Sequence, residues 1–322
     1  MKNWLYKNVF LNVLRPAFHR AGLDLVAFCP PVDKRKLFDE IGPVLQKIAD
    51  WRPEKAPTPG ERTIWQFWWQ GADNAPPLVK RCLESVRRHA RGWRIVVIDE
   101  QNSSQYADIP ACIVEKHRWG IISHTHFSDC LRVALLRKHG GVWVDATVLL
   151  TDDIPDDILM AKAFVFKTSL WASAGDIPGP ESFLTTIQTA ANGRIGGGES
   201  AASSWFLSSY RDSALMTVVA DALEWYWQSA EKLGDYFLFH FLLSYAVSAN
   251  EFCRDEFLAM PLRINVKPHM LLFKLLEPFD LAQWRLVRDN SFIHKLSYKG
   301  NDLCDTQGTF LEALVEGRLT EE

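Results

Sequence analysis

The chain has 322 residues and a formal net charge of −3, with 36 Lys and Arg against 39 Asp and Glu; no global field draws it to nucleic acid. Hydrophobic residues make up 48% of it, enough for a large core in one big domain or a domain with additions. Its six cysteines (Cys29, Cys82, Cys112, Cys130, Cys253, Cys304) form no CxxC pair, which excludes zinc-finger and thioredoxin spacings and fits reduced thiols in a cytosolic compartment.

Residues 1–59 read as a helical extension. Within 1–20, Trp4, Val9, Phe10, Val13 and Leu14 are interleaved with Lys2, Lys7, Arg15, His19 and Arg20. That basic amphipathic pattern suits a membrane surface or the protein's own body. No cleavable signal and no bilayer-spanning stretch is visible, and the proline-rich RPEKAPTPGER marks a boundary near residue 60.

TIWQFWWQG is a short apolar run closed by glycine and predicts a buried strand. Over 76–91, Leu78, Val79, Cys82, Leu83 and Val86 share one helical face, and WRIVVIDE is the clearest strand in the chain. Strand, helix and strand in this space predict a βαβ unit with a right-handed crossover and a parallel sheet. Thirteen tryptophans suit sugar-binding faces and cores alike.

A helix is expected near 111–118. His124, Thr125 and His126 alternate as a strand would, placing two imidazoles on one side. With Asp129 they could ligate zinc in a metal-dependent hydrolase, although no HExxH or third-ligand pattern supports that reading. Phe127, Leu131, Ala134 and Leu135 then recur at helical spacing, with Ser128 the expected cap. Gly140 and Gly141 end the helix, and VWVDATVLL reads as the strand that follows.

Asp129 and Arg132, three residues apart, share a helix face. A helix rises about 1.5 Å per residue and a strand about 3.3 Å, so a strand doubling back brings Asp145 level with both. Two carboxylates and a guanidinium then converge at one sheet edge, as a binding site or as a structural ion-pair set.

TDDIPDD (151–157) reads as a solvated turn and AFVFKT (163–168) as a strand. GRIGGGES (193–200) is a glycine-rich loop that lacks both phosphate-binding patterns, GK[ST] and GxGxxG. Residues 213–250 read as helices. SSW (203–205) and DYF (235–237) are polar–aromatic clusters, making Trp205, Asp235 and Tyr236 candidates for an acceptor wall or else helix-start and core residues. FIHKLSYKG (292–300) precedes a polar, acidic tail. The alternation predicts a doubly wound, mostly parallel α/β sheet, with ligands outside the carboxyl ends of the strands, where Asp145 falls.

SDCLRVALLRKHGGVWVDAT resembles the S-D-x-x-R…G-G-x-(aromatic)-x-D-x-D segment of retaining GT-A glycosyltransferases, among them the Och1-like sugar transferases and the glucosylating clostridial toxins. More similar still is the bacterial capsular polysaccharide synthesis protein family. It shares an IWQFWWQG-like first strand, the SD-x-x-R…GG-x-W-x-D-A-T block and a late HKLSYK. The resemblance implies a GT-A domain over 60–300, with helical additions at the N-terminus and in the C-terminal half and a tail over 301–322. It also implies a hexosyltransferase-type enzyme of the cytoplasm or the inner-membrane periphery. Such an enzyme moves sugar with retention from a nucleotide-sugar donor, a UDP-sugar favoured, to a glycan or lipid-linked acceptor in capsule or surface-polysaccharide synthesis.

Residue by residue, the resemblance implies Asp129 on donor-sugar hydroxyls and Arg132 on sugar and phosphates. Asp145 becomes the first DxD aspartate, facing the ribose and a Mn²⁺ or Mg²⁺ ion. Gln66 and Trp68 lie where the base is held, Thr147, Lys295 and Lys299 line the donor, and His294 falls where a late metal or diphosphate ligand stands. One departure is plain: Thr147 replaces the second DxD carboxylate and is a weaker ligand for a hard cation. A non-catalytic partner in a polysaccharide assembly complex is the alternative that keeps the fold.

Overall fold

The computed structural model describes residues 34–189, 200–299 and 306–319. The amphipathic segment 1–20, nearly all of the glycine-rich loop and the two ends of the tail, 301–305 and 320–322, lie outside them. Helix α1 (Lys34–Asp50) comes first. Strand β1 (Thr63–Phe67), helix α2 (Pro77–Arg88) and strand β2 (Arg94–Ile98) form the expected βαβ unit, with Thr63 beside Arg94 and Phe67 beside Ile98. Helices α3 (Ala111–Arg118) and α4 (His124–His139) lead to β3 (Gly141–Val144), which lies parallel to β1 on its other side.

The chain continues through β4 (Val148–Leu150), β5 (Ala163–Lys167), helix α5 (Pro180–Thr189) and β6 (Ala202–Ser209). Helices α6 (Ala214–Ser229), α7 (Leu238–Ala249), α8 (Glu251–Ala259) and α9 (Leu281–Asn290) follow, then β7 (Ile293–Lys295) and α10 (Phe310–Val315). The main sheet has the order β2-β1-β3-β6-β5. Only β6 runs against the others, so the sheet is mostly parallel, with the layered architecture of a GT-A fold.

Two details place the site. Gly140 and Gly141 both have positive φ, and a Cβ on Gly141 would stand 2.4 Å from the Thr63 carbonyl oxygen. The pair therefore ends α4 and lets β3 lie directly against the start of β1. Helix α4 then runs antiparallel to β3, and its first turns are level with the residue after β3, which is Asp145.

Trp65, Phe67, Trp143 and Leu207 face a core built with α4, α6 and α7. Ile64, Val142, Val144, Phe164 and Phe206 face the other way, against Val86, β4 and β7. Trp65, Trp143, Trp227 and Trp284 are fully buried, so much of the tryptophan content is core. Ile41, Val44, Leu45 and Ile48 of α1 join the first cluster. The Asn250 side chain fixes the end of α1, donating to the Ile48 and Trp51 carbonyls at 3.0 and 2.8 Å.

Three local expectations change. The HTH stretch is helical, because Ser123 caps α4 five residues earlier than the expected Ser128, which lies within the helix. VWVDATVLL divides at Asp145–Thr147: β3 stays in the main sheet, whereas β4 pairs antiparallel with β7 in a separate ribbon. ASSWFLSS is an eight-residue central strand, neither a helix start nor a surface cluster. Its serines are compatible with burial because Ser203 donates to the Phe166 carbonyl and Ser208 to that of Ile158, at 3.3 and 3.1 Å.

Candidate functional site

At the carboxyl end of β3 the three predicted charges meet. Arg132 Nη1 donates to Asp129 Oδ1 at 2.6 Å, and its Nη2 donates to Ser128 Oγ at 2.8 Å and lies 3.5 Å from Asp145 Oδ1. The guanidinium lies between the rings of Trp143 and Phe239, 5.2 and 5.4 Å from their centres. Trp143 Nε1 also donates to Asp145 Oδ1 at 2.8 Å. Burial pushes the Asp129 carboxyl up to about 6, against the pull of Arg132 and with a push from Asp145. Burial raises Asp145 too, but Lys295, Arg132 and the hydrogen bonds from Lys295 and Trp143 outweigh it and hold that carboxyl below the usual range.

Lys295 closes the cluster. Its Nζ donates to Asp145 Oδ2 at 2.8 Å and Thr147 Oγ1 at 2.6 Å. The backbone enforces this, since Lys295 pairs with Val148 across the β4–β7 ribbon and Leu296 N–H bonds the Thr147 carbonyl. Neighbouring residues on a strand face opposite ways, so His294 points elsewhere. It is fully buried, its Nε2 lies 3.2 Å from Thr151 Oγ1, and its ring packs 5.9 Å from that of Trp284. The expectation that His294 joins Asp145 at a metal is therefore not met by this arrangement. Lys299 is exposed, beyond Lys295 on the same segment.

Gln66 sits near the end of β1, fully buried, and neither its amide nitrogen nor its oxygen has a hydrogen-bond partner. Trp68 Nε1 is equally unpartnered, and its ring meets Tyr298 edge-on at 5.2 Å. The HKLSYK segment thus covers the end of the first strand. Buried polar groups left unpaired cost about 1–3 kcal/mol each, so a partner from water or a ligand would stabilise both side chains. Hollows of ≈ 430 and ≈ 250 Å³ lie elsewhere, at Pro53–Pro57 with Glu256 and at Gly60, Trp93 and Tyr210.

The proposed acceptor residues separate. Trp205 is only 5% exposed and stacks on Phe166 at 4.7 Å, so it is core; its carbonyl accepts the Asp145 N–H and so helps fix that residue. Asp235 is buried and accepts the Phe237 N–H at 2.7 Å just before α7. Tyr236 is 53% exposed, edge-on to His126. The zinc-hydrolase trio does not assemble, because His124 and His126, two apart on a helix, face different ways. His124 Nδ1 bonds His117 Nε2 at 2.8 Å, His126 bonds Ser123 Oγ and the Tyr236 carbonyl, and Asp129 bonds Arg132.

His240, partly buried on α7, went unnoticed in the sequence because it interrupts an apolar run without a motif. It feels the charges of both Arg132 and Asp145, and its Nδ1 has no partner. Among the described residues, His89, Asp152 and Asp153 bring three ligand atoms within 4.8 Å of one another. That group lies past β4, and Asp153 already pairs with Arg91 at 2.7 Å. With the Arg91–Asp156 and Arg263–Asp157 pairs, TDDIPDD is a web of surface ion pairs.

Burial lowers His117 and His240 to about 4 and His294 to about 3. Unfolded, each titrates near 6.5, so their stabilising neutrality is complete above that pH and lost as pH falls toward 4 and 3. Each group contributes at most about 1.4 kcal/mol per pH unit over its window. Asp129 acts oppositely, regaining stability between about 6 and its unfolded value near 3.9. Urea unfolding at pH 7.5, 6 and 4.5 should therefore show a net decline that begins near 6.5, and His294→Gln should flatten it.

No helix among the described residues is long and apolar enough to cross a membrane. The model of the capsular polysaccharide synthesis protein family matches residues 35–314. The O-glycosyltransferase braB of Annulohypoxylon truncatum is 31% identical over 120 residues, 34% of this chain and 28% of its own. The O-glycosyltransferase PaGT of Phomopsis amygdali is 30% identical over 109 residues, 31% of this chain and 27% of its own. The glycosyltransferase afumC of Aspergillus fumigatus is 34% identical over 100 residues, 28% of this chain and 25% of its own. The matches thus span only about a quarter of these relatives' length. No solved structure matches. The family match covers nearly all the described residues and both halves of the charged cluster, so the chain belongs to the capsular polysaccharide synthesis protein family.

Proposed function

We propose that this chain is a glycosyltransferase that moves a sugar from a nucleotide-sugar donor, a UDP-sugar favoured, to a hydroxyl of a glycan or lipid-linked acceptor in surface-polysaccharide synthesis, with retention. The carrying observation is the Asp129–Arg132–Asp145–Lys295 cluster at the carboxyl end of β3, buried at Asp129 and Arg132 and half-buried at Asp145 and Lys295. Ligands of such sheets bind at these ends. The curated relatives named as glycosyltransferases support the same reaction class. A peripheral membrane role rests on residues 1–20, outside the described part.

A departing nucleoside diphosphate carries two developing charges, and fixed cations aimed at them lower the barrier without reorganising. Arg132 supplies a planar fork and Lys295 a compact ammonium. Asp129 accepts from donor-sugar hydroxyls. In front-side displacement the anomeric bond to the phosphate oxygen breaks as the acceptor oxygen bonds the same face. The acceptor proton passes to the departing phosphate, so no protein nucleophile is required.

GT-A transferases often bind a divalent metal at the DxD segment, but the residues here fit one poorly. Each Asp145 oxygen already meets a donor, Thr147 contributes a hydroxyl, and His294 faces away. A hard dication prefers about six oxygen ligands, and this donor set falls well short. No step is assigned to a metal.

A thermal-shift panel of UDP, GDP, CMP and their common sugars tests the proposal. One nucleotide shifting the melt, followed by turnover of its sugar, supports it; silence across the panel favours a non-catalytic assembly partner. Gln66 adds a sharper test. Gln66→Met removes two unpaired buried polar atoms and should raise stability by about 1–2 kcal/mol. If the amide reads the donor's base, the same change should weaken nucleotide binding by about tenfold or more. Stability rising with affinity unchanged would remove Gln66 from the donor site.

A further inference from the structure

We infer that Lys295 stands in the place of a divalent cation, so that the donor's diphosphate is held by protein cations alone; this rests on the glycosyltransferase reading above. The ammonium bridges Asp145 Oδ2 and Thr147 Oγ1 at 2.8 and 2.6 Å, the two side chains of the D-A-T turn that would otherwise face a metal. Replacing the second carboxylate by a hydroxyl and meeting the pair with a lysine are complementary changes. A hydroxyl is a poor ligand for a hard dication and a good acceptor for an ammonium.

Charge balance points the same way. Asp129 and Asp145 carry two negative charges, and Arg132 and Lys295 two positive ones, all joined by contacts of 3.5 Å or less. A dication entering here meets two fixed cations at close range and a cluster already neutral. The ammonium is also built in, because Lys295 pairs with Val148 across the β4–β7 ribbon and Leu296 N–H bonds the Thr147 carbonyl. Backbone pairing on both sides therefore sets the distance between the lysine and the turn.

The arrangement leaves capacity for a ligand. An ammonium has three donors; two go to Asp145 and Thr147, and one remains for a diphosphate oxygen. The Lys295 side chain is 21% exposed, so a solute can reach it. Arg132 Nε is also buried and has no partner. Donor binding by this site is therefore independent of Mn²⁺ and Mg²⁺, resistant to chelation, and weakened by salt.

Calorimetric titration with UDP, GDP and CMP, each in EDTA and in Mn²⁺, tests this together with the Mn²⁺ resonance signal of the protein alone. Wild type should bind one nucleotide equally, within about twofold, in the two media and take up no Mn²⁺ without it. Lys295→Ala should weaken binding in EDTA by about 10- to 100-fold, the range of a charge-assisted hydrogen bond. Lys295→Arg, which keeps the charge, should retain chelation-resistant binding. Lys295→Asp should gain Mn²⁺ binding, because it removes a cation and adds a carboxylate. Wild-type binding that requires Mn²⁺ overturns the inference and leaves the transferase reading standing. No binding of any nucleotide in either medium overturns that reading and the inference with it. The wild-type comparison needs no variant, so a Lys295→Ala protein that fails to fold leaves the test intact.

Discussion

Arg132→Met is expected to cost about 3–5 kcal/mol of folding stability and to abolish nucleotide binding. Arg132 is 3% exposed and bonds Asp129, Ser128 and Asp145 between two aromatic rings. Methionine fills the space but leaves Asp129 buried without its cation. A buried carboxylate in that position escapes by protonating, which fixes the sign of the pH dependence. Asp129 is already raised to about 6, and without Arg132 it rises further. A group raised in the folded state stabilises below its unfolded value and loses that contribution as pH climbs through the folded one. The variant's deficit should therefore be largest at pH 8 and shrink at pH 5. Urea unfolding at both values measures it, and a deficit independent of pH would show that packing against Trp143 and Phe239, and not charge, is what Arg132 provides. Arg132→Lys should recover only part of the loss, because an ammonium cannot span Asp129, Ser128 and Asp145 at once.

The meeting of Asp129, Arg132 and Asp145 was legible in the chain because it follows from arithmetic. A helix and a returning strand of different rise, joined at two glycines, leave little freedom about where their ends fall. The βαβ unit was legible for a similar reason, since its apolar faces repeat at clean periods. What escaped depended on long-range partners. β6 was hidden because its serines look like loop residues until the carbonyls of Phe166 and Ile158 are brought to them. The division of VWVDATVLL was hidden because only pairing with β7, more than a hundred residues on, draws β4 away from the sheet. The choice between His294 and Lys295 is a question of strand face, and a shift of one residue reverses it. Gln66 was visible as a polar residue in an apolar run, but its missing partners are a property of packing alone.

Asp145→Asn should lower sugar transfer by about 10²- to 10³-fold, the scale on which removing one preorganised electrostatic group acts, while leaving the fold nearly intact. Asparagine keeps the carboxamide oxygen that Trp143 Nε1 needs, and the backbone bonds of Asp145 to Trp205 and Val148 are untouched. The lost negative charge is offset locally, because Asp145 is one of the groups pushing Asp129 up to about 6; without that push Asp129 ionises more fully beside Arg132. Binding of the nucleoside diphosphate separates two pictures of the site. If a metal held the diphosphate through Asp145, the substitution would remove its best ligand, and affinity and turnover would fall together. If Lys295 holds it, the substitution frees the ammonium from its carboxylate, and the diphosphate should bind at least as tightly while transfer collapses. Titration of the wild type and Asp145→Asn with nucleoside diphosphate, beside single-turnover transfer, distinguishes these outcomes. Falling turnover with unweakened affinity assigns Asp145 to orienting Lys295 in the transition state. A variant that unfolds instead makes Asp145 a structural counter-ion for Arg132 and Lys295.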